Sequence, residues 1–352
     1  MTSLPNHSLT LFPYPILNNF NLYNLSFTSK VLKSNPLKDS PLRNNPVLSP
    51  KDLSTNNSGL VFILSGFAGN GTKYLADKGF ETTFVKQLDS LFGIHKAPNA
   101  YYVFIDAWTF WGGSQFLNSN AIGNYEDYIV NELLPICIKT FKVNSMKVAI
   151  VGQSSGGYGA LHLASKFPKK FPYCGALSPD CYFEASLLPD LYKASSFLNK
   201  YNKLSLLHKL HSKQQILKQK NGFSILNSIA MAACYSPSDN GKEVQWPINF
   251  STGLIDQKIW NLWKQKDPIY FLPKRISRLR QLSGIFLDVG LNDEFYLNLG
   301  LQQIHQWLKF NSIQHHFSTF EGGHFEILTR IPLFWTWLLK QNNFVTDQPD
   351  QA

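Results

Sequence analysis

Gly152-Gln153-Ser154-Ser155-Gly156-Gly157-Tyr158-Gly159-Ala160 lies between a mostly apolar run at residues 146–151 and a helical pattern over residues 158–166. Val148, Ala149, Ile150 and Val151 have the β-rich apolar character of a buried strand, and Ala160, Leu161, Leu163 and Ala164 supply the apolar repeat of a helix. The stretch predicts a strand, a tight glycine turn carrying a serine, and then a helix. A serine presented at the top of a strand needs a sharp, strained turn, and G-x-S-x-G supplies small residues where the backbone passes close to its neighbours. Ser154 is therefore the candidate nucleophile.

Working outward, the same strand and helix alternation recurs. Upstream, Gly59-Leu60-Val61-Phe62-Ile63-Leu64 is apolar throughout, as a strand buried on both faces of a parallel sheet must be. It runs into the glycine loop Ser65-Gly66-Phe67-Ala68-Gly69-Asn70-Gly71. A helix is expected over residues 81–92, a strand over 100–106, and an amphipathic helix over 124–141 with Glu126 and Asp127 in its first turn. Downstream, strands are expected at 173–177, 283–290 and 315–320, with helices at 297–310 and 331–339. Residues 182–270 break this rhythm. They include a lysine-rich helical stretch (Lys193, Lys200, Lys203, Lys209, Lys213, Lys218, Lys220) with Leu204, Leu207, Leu210 and Leu217 among the lysines.

The fold class expected is α/β: a mostly parallel central sheet with helices on both faces and a helical cap inserted at about 182–270. Residues 1–20 are read as an extended N-terminal arm or loose terminus, 21–345 as the catalytic domain and 346–352 as a polar tail. An edge strand is expected over 22–31, and turns around one short strand near Val47 over 34–58.

Hydrophobic residues make up 44% of the chain and charged residues 16%, which excludes a disordered protein. The 33 Lys and Arg against 23 Asp and Glu give a net charge of +10, favouring anionic partners by long-range attraction. No nucleic-acid fingerprint or clustered basic arm accompanies that charge, so nucleic acid is not an expected partner. Cys137, Cys174, Cys181 and Cys234 lack C-x-x-C spacing and read as reduced, mostly buried thiols rather than metal ligands. Residues 1–20 lack early positive charge, and Pro13 and Pro15 interrupt their apolar residues, so no secretory signal is read there. No apolar run is long enough to span a membrane, and a cytoplasmic location is expected.

A serine hydroxyl is a poor nucleophile at neutral pH and needs a base, which in turn needs an orienting carboxylate. Asp293 and His324 fit those roles: each follows a predicted strand, and the order Ser, Asp, His is that of the elbow architecture. His324 follows a late strand through Gly322-Gly323, whereas His162 and His305 fall within helical patterns and His315 and His316 within a strand. Asp288 and Glu294 are rival acids, but Asp288 falls inside an apolar strand run, and Asp293 is preferred to both. The backbone N–H groups of Phe67 and Ser155 are the expected oxyanion donors. Trp108, Trp111, Ser114 and Gln115, in the loop at 107–123, are candidates for lining the substrate pocket.

The segments at 65–69, Gly112-Gly113-Ser114, Gly123-Asn124-Tyr125-Glu126-Asp127-Tyr128, 152–160, 290–295 and Gly322-Gly323-His324 resemble the esterase family of α/β-hydrolases. That family includes the esterase D-like S-formylglutathione hydrolases, the enterochelin-esterase-like proteins and the antigen 85-like mycolyl transferases. The resemblance spans roughly residues 22–340, and Ser34-Asn35-Pro36-Leu37 also resembles the enterochelin-esterase-like members. It implies the α/β-hydrolase fold, Ser154, Asp293 and His324 as the triad, and Phe67 with Ser155 as the oxyanion hole. Ser65 stands where many members carry His. The function expected is a serine hydrolase cleaving a carboxylic ester through an acyl-enzyme, without metal or cofactor, on a small substrate of anionic character. The alternatives are acyl transfer to an acceptor other than water, and a non-catalytic binding protein on the same fold.

Overall fold

A computed structural model describes residues 4–13, 15–52, 58–76, 80, 82–204 and 213–344. In chain order its strands are β1 (His7–Leu11), β2 (Phe20–Thr28), β3 (Leu42–Pro50), β4 (Gly59–Leu64), β5 (Ala100–Phe104), β6 (Asn118–Ser119), β7 (Gly123–Asn124), β8 (Val148–Gln153), β9 (Tyr173–Leu177), β10 (Gly284–Gly290) and β11 (His316–Phe320). β6 and β7 form a small antiparallel ribbon. The other nine make one sheet in the order β1-β2-β3-β5-β4-β8-β9-β10-β11. From β5 to β11 neighbouring strands are parallel, while β1, β2 and β3 add an antiparallel flank.

The unbroken apolar runs have a geometric cause. Along β4, Leu60, Phe62 and Leu64 point into one core and Val61 and Ile63 into a second on the opposite face. β8 divides likewise, with Val148 and Ile150 on one side and Ala149 and Val151 on the other. Side chains alternate across a strand, so covering both faces with helices leaves no position for a polar residue. The first core holds the elbow helix Ser155–Lys166 and the helix running from Tyr125 to Phe141, which passes through a π-helical segment at Tyr128–Leu133. The second holds Phe84–Gly93 and Ile331–Leu339.

The N-terminal flank differs from the sequence reading. The strand expected at the edge, β2, is covered by β1, which pairs antiparallel with it from His7↔Phe27 to Leu11↔Tyr23. Every residue of β1 is exposed, so it is held by main-chain pairing and leaves no apolar alternation to read. The short strand expected near Val47 extends over nine residues, because Leu42–Pro50 pairs along its whole length with β2.

Between β9 and β10 lies a helical insertion comprising Phe183–Ser186, Leu188–Leu198, Lys213–Leu217, Gly222–Tyr235, Gln257–Lys264 and Pro268–Phe271. Gly222–Tyr235 is buried almost throughout. It is fastened to Leu188–Leu198 at Asp190, whose carboxylate accepts from Ser224 Oγ and Asn227 Nδ2, each at 2.9 Å. The two ends of the insertion meet at buried Asp267, which accepts the N–H groups of Tyr182 (3.0 Å), Phe183 (2.6 Å) and Ile269 (3.1 Å). Lys193 pairs with Asp190 at 3.4 Å, and Lys213 Nζ sits 4.5 Å from the Trp108 ring centroid. Leu207, Lys209 and Leu210 of the lysine-rich stretch, and the tail at 346–352, lie outside the described residues. Among the described residues no helix is long and apolar enough to cross a membrane.

Candidate active site

Parallel strands deliver their following loops to one rim, and the candidate site stands there. Ser154 directly follows β8, and its φ of 55° and ψ of −127° place a non-glycine residue in a strained conformation. The glycines beside it explain how the turn is made. A Cβ on Gly152 would strike the backbone of Gly156, and a Cβ on Gly156 would strike Leu64 O on β4. The strand and the helix thus cross closely enough to lift Ser154 onto the rim.

Asp293 follows β10 and His324 follows β11. His324 Nδ1 lies 2.9 Å from Asp293 Oδ2, and the Asp293 side chain is fully buried while that of His324 is 11% exposed. A carboxylate only accepts, so Nδ1 carries the proton and Nε2 is left as the basic nitrogen. Asp293 Oδ1 accepts the N–H of Phe295 at 3.0 Å, which fixes the carboxylate in its turn. The rival acids have other partners. Asp288 is fully buried within β10, accepting from Ser318 Oγ at 2.7 Å and Arg330 Nε at 2.9 Å. Glu294 accepts the backbone N–H of His324 at 2.6 Å. His162 belongs to a buried structural cluster, 2.7 Å from Glu126, and burial pushes its pKa down to about 4. His305 and His315 hydrogen-bond to each other at 2.8 Å.

Ser154, Ser155, His324, Gly66 and Phe67 line one cavity of about 260 Å³. Its apolar wall includes Leu187, Phe223, Phe295, Phe325 and Ile327, so the helical insertion supplies part of the lining. The N–H groups of Phe67 and Ser155 are not taken up by the hydrogen bonds of the turn or the helix. Ala68 N–H donates to Gly112 O and Gly69 N–H to Gly66 O, whereas Phe67 N–H has no partner among the described residues. Ser155 opens the helix Ser155–Lys166, where first-turn N–H groups have no intrahelical acceptor.

None of the four residues expected along the pocket lines this cavity, but Ser114 and Gln115 line a small neighbouring one that shares Gly66, Phe67 and Ser155 with it. Trp111 is buried in the core, and Trp108 is 38% exposed beneath Lys213. Ser114 and Gln115, each 1% exposed, lie behind the elbow, where Gln115 Nε2 donates to Ser155 Oγ at 3.0 Å. A further acid, absent from the sequence-predicted set, is Asp180, which ends the Ser178-Pro179-Asp180 turn after β9. Its carboxylate is buried, lines the cavity and accepts from Ser155 Oγ (2.7 Å), Gln115 Nε2 (3.2 Å) and Ser154 Oγ (3.3 Å). Burial pushes its pKa up, against the hydrogen bond from Ser155. The available signal was its place: like Ser154, Asp293 and His324, it follows a parallel strand.

A strained serine, a histidine and a buried acid on the rim of a parallel sheet define the class as a hydrolase of the α/β-hydrolase fold. The chain belongs to the esterase family described as "Putative esterase", whose profile matches residues 46–327. It is a carboxylic ester hydrolase by that membership. No curated protein matches the sequence. Among solved structures it is similar to FphF, a fluorophosphonate-binding serine hydrolase of Staphylococcus aureus, with TM-score 0.58 and 16% identity, covering 92% of this chain and 100% of that one. An S-formylglutathione hydrolase from Agrobacterium tumefaciens aligns with TM-score 0.55 and 16% identity over 94% of this chain and 99% of the other. A ferulic acid esterase from Anaeromyces mucronatus, solved with ferulic acid, gives TM-score 0.52 and 12% identity over 98% and 100%.

Proposed function

We propose that the protein hydrolyses carboxylic esters through an acyl-enzyme on Ser154. His324 Nε2 takes the hydroxyl proton as Oγ attacks the ester carbonyl, and returns it to the departing alcohol. Asp293 fixes the histidine tautomer and stabilises the imidazolium that forms. The N–H groups of Phe67 and Ser155 receive the negative charge that develops on the carbonyl oxygen. The observation that carries this reading is the 2.9 Å contact between His324 and Asp293 beside a serine of positive φ in the same cavity. Ser154 Oγ donates to Asp180, so the reading requires the hydroxyl to turn towards His324 when substrate binds.

For the acyl group we propose an aromatic or similarly apolar acid. Phe67, Phe223, Phe295 and Phe325 surround the cavity, and the ferulic acid complex of the Anaeromyces mucronatus enzyme supports that class. The lining contains Lys73 as well as Asp180, and Lys73 supplies a cation for the anionic character expected from the net charge. We also infer a cytoplasmic location, checked by fractionation of the cells that make the protein.

The test is intact-mass spectrometry after incubation with a fluorophosphonate, followed by a panel of esters. One adduct on the wild type and none on folded Ser154→Ala is the expected result. Labelling of Ser154→Ala at the wild-type rate would remove the nucleophile assignment. Equal kcat/KM for neutral and anionic esters of the same size at low salt would remove the charge preference.

A further inference from the structure

Asp180 has a hydrogen-bonding pattern that the steps above leave unused. Its Oδ2 is well served by Ser155 Oγ at 2.7 Å and Gln115 Nε2 at 3.2 Å. Oδ1 has one donor among the described residues, the Ser154 hydroxyl, at 3.3 Å. The backbone around this carboxylate is strained to build it: φ is 49° at Gln115, 55° at Phe116, 55° at Ser154 and 40° at Ser178, all left-handed values at non-glycine residues.

The donor to Oδ1 is lost during the proposed reaction, on which this inference rests. Acylation sends the Ser154 proton to His324 and then to the leaving alcohol, and Oγ becomes the bridging oxygen of an ester. Oδ1 is then a buried acceptor without a donor, an unfavourable state in the one intermediate that must admit water. We propose that Asp180 Oδ1 holds the water that hydrolyses the acyl-enzyme. One O–H of that water is directed to His324 Nε2, which takes the proton as the oxygen bonds to the acyl carbon. The other donates to Asp180 Oδ1 and stays on oxygen. The bond between the acyl carbon and Oγ then breaks, His324 returns its proton to Oγ, and the carboxylic acid departs. Asp180 ends the cycle with the charge it began with, and the regenerated Ser154 hydroxyl becomes its donor again.

Asp180→Asn tests this sharply. Ser155 and Gln115 both donate, so they select the amide oxygen for the Oδ2 position and leave the NH₂ group in place of Oδ1, where it cannot accept from water. The acyl adduct formed from a 4-nitrophenyl ester is followed by rapid mixing and intact mass, with fluorophosphonate labelling of both proteins alongside. The expected result is acylation of Asp180→Asn no slower than wild type, since the serine hydroxyl no longer has a carboxylate to leave, and decay of the adduct slowed about ten- to a hundredfold, the effect of one hydrogen bond to a charged group. Methanol has a single O–H, which it spends on His324, so methanolysis of the adduct falls less than hydrolysis. Acylation and deacylation that fall together, or an adduct that decays at the wild-type rate, would overturn the assignment. If Asp180→Asn does not fold, Asp180→Ser runs the same comparison, since its shorter side chain leaves the water without its acceptor. A wild type with neither adduct nor label removes the acyl-enzyme and this role together; a labelled wild type with unchanged decay in the variant removes this role alone.

Discussion

The backbone N–H of His324 donates to Glu294 Oε2 at 2.6 Å, one residue along the chain from the Asp293 that holds the ring of the same histidine. Two adjacent acids thus fix one residue through different atoms. A Cβ on Gly323 would meet Glu294 Oε1 at 2.6 Å, so the Gly-Gly approach to His324 is what lets the second acid come so close.

Glu294→Ala frees the main chain of His324 while leaving its ring paired with Asp293. One charge-assisted hydrogen bond is worth about 1.5–3 kcal/mol, and part of that is recovered from water at an exposed residue. kcat is expected to fall about tenfold with KM little changed, read from steady-state kinetics on an ester accepted by the wild type.

Asp293 and Asp288 separate activity from stability. Asp293→Asn removes the acceptor that sets the histidine tautomer, and kcat should fall by about 10³- to 10⁴-fold with Tm nearly unchanged. Asp288→Asn weakens a pair whose carboxylate is fully buried and whose arginine is 24% exposed. Its cost is about 2 kcal/mol, between the values for exposed and buried pairs, and it should appear as a lowered Tm with fluorophosphonate labelling retained.

Gly156→Ala should prevent the elbow from closing, since the added methyl would collide with main-chain oxygen of β4 rather than with a movable side chain. Loss of soluble protein or of all labelling is expected. A folded Gly156→Ala that is labelled at the wild-type rate would contradict the close crossing described for the turn.

Glu126 makes a pH prediction with a definite sign. Burial acts to raise its pKa, but hydrogen bonds from His162 and Lys166, and the charge of Lys166, bring it down to about 2 from an ordinary 4.5. Between those limits the unfolded chain binds more protons than the folded one, so the stability from Glu126 is complete above about pH 4.5 and is lost as pH falls towards 2. Thermal melts at pH 6 and pH 3 should show a smaller drop in Tm for Glu126→Gln than for the wild type.

The buried strands could be read from the sequence because covering both faces removes polar residues from them, as in β4 and β9. The elbow could be read because two glycines are demanded by one backbone crossing. β1 could not, since an exposed strand held by main-chain bonds has no side-chain pattern. Following a strand makes Trp111, Ser114 and Gln115 pocket candidates; their loop folds behind the elbow, where all three are buried and Ser114 and Gln115 line a small cavity beside the one that holds Ser154.

The sequence by itself determined the alternation of strands and helices, and with it the rim on which Ser154, Asp293 and His324 stand, because parallel connections send every loop after a strand to the same edge of the sheet. The sequence also favours Asp293 as the partner of His324, because Asp288 falls inside a strand run. Only the tertiary structure decided what the other acids do, from distances between segments remote in the chain: Arg330 reaches Asp288, the backbone of His324 meets Glu294 while its ring meets Asp293, and the Ser154 hydroxyl turns to Asp180. A hydrogen bond is decided within a few tenths of an ångström, and that precision is set by packing rather than by local pattern.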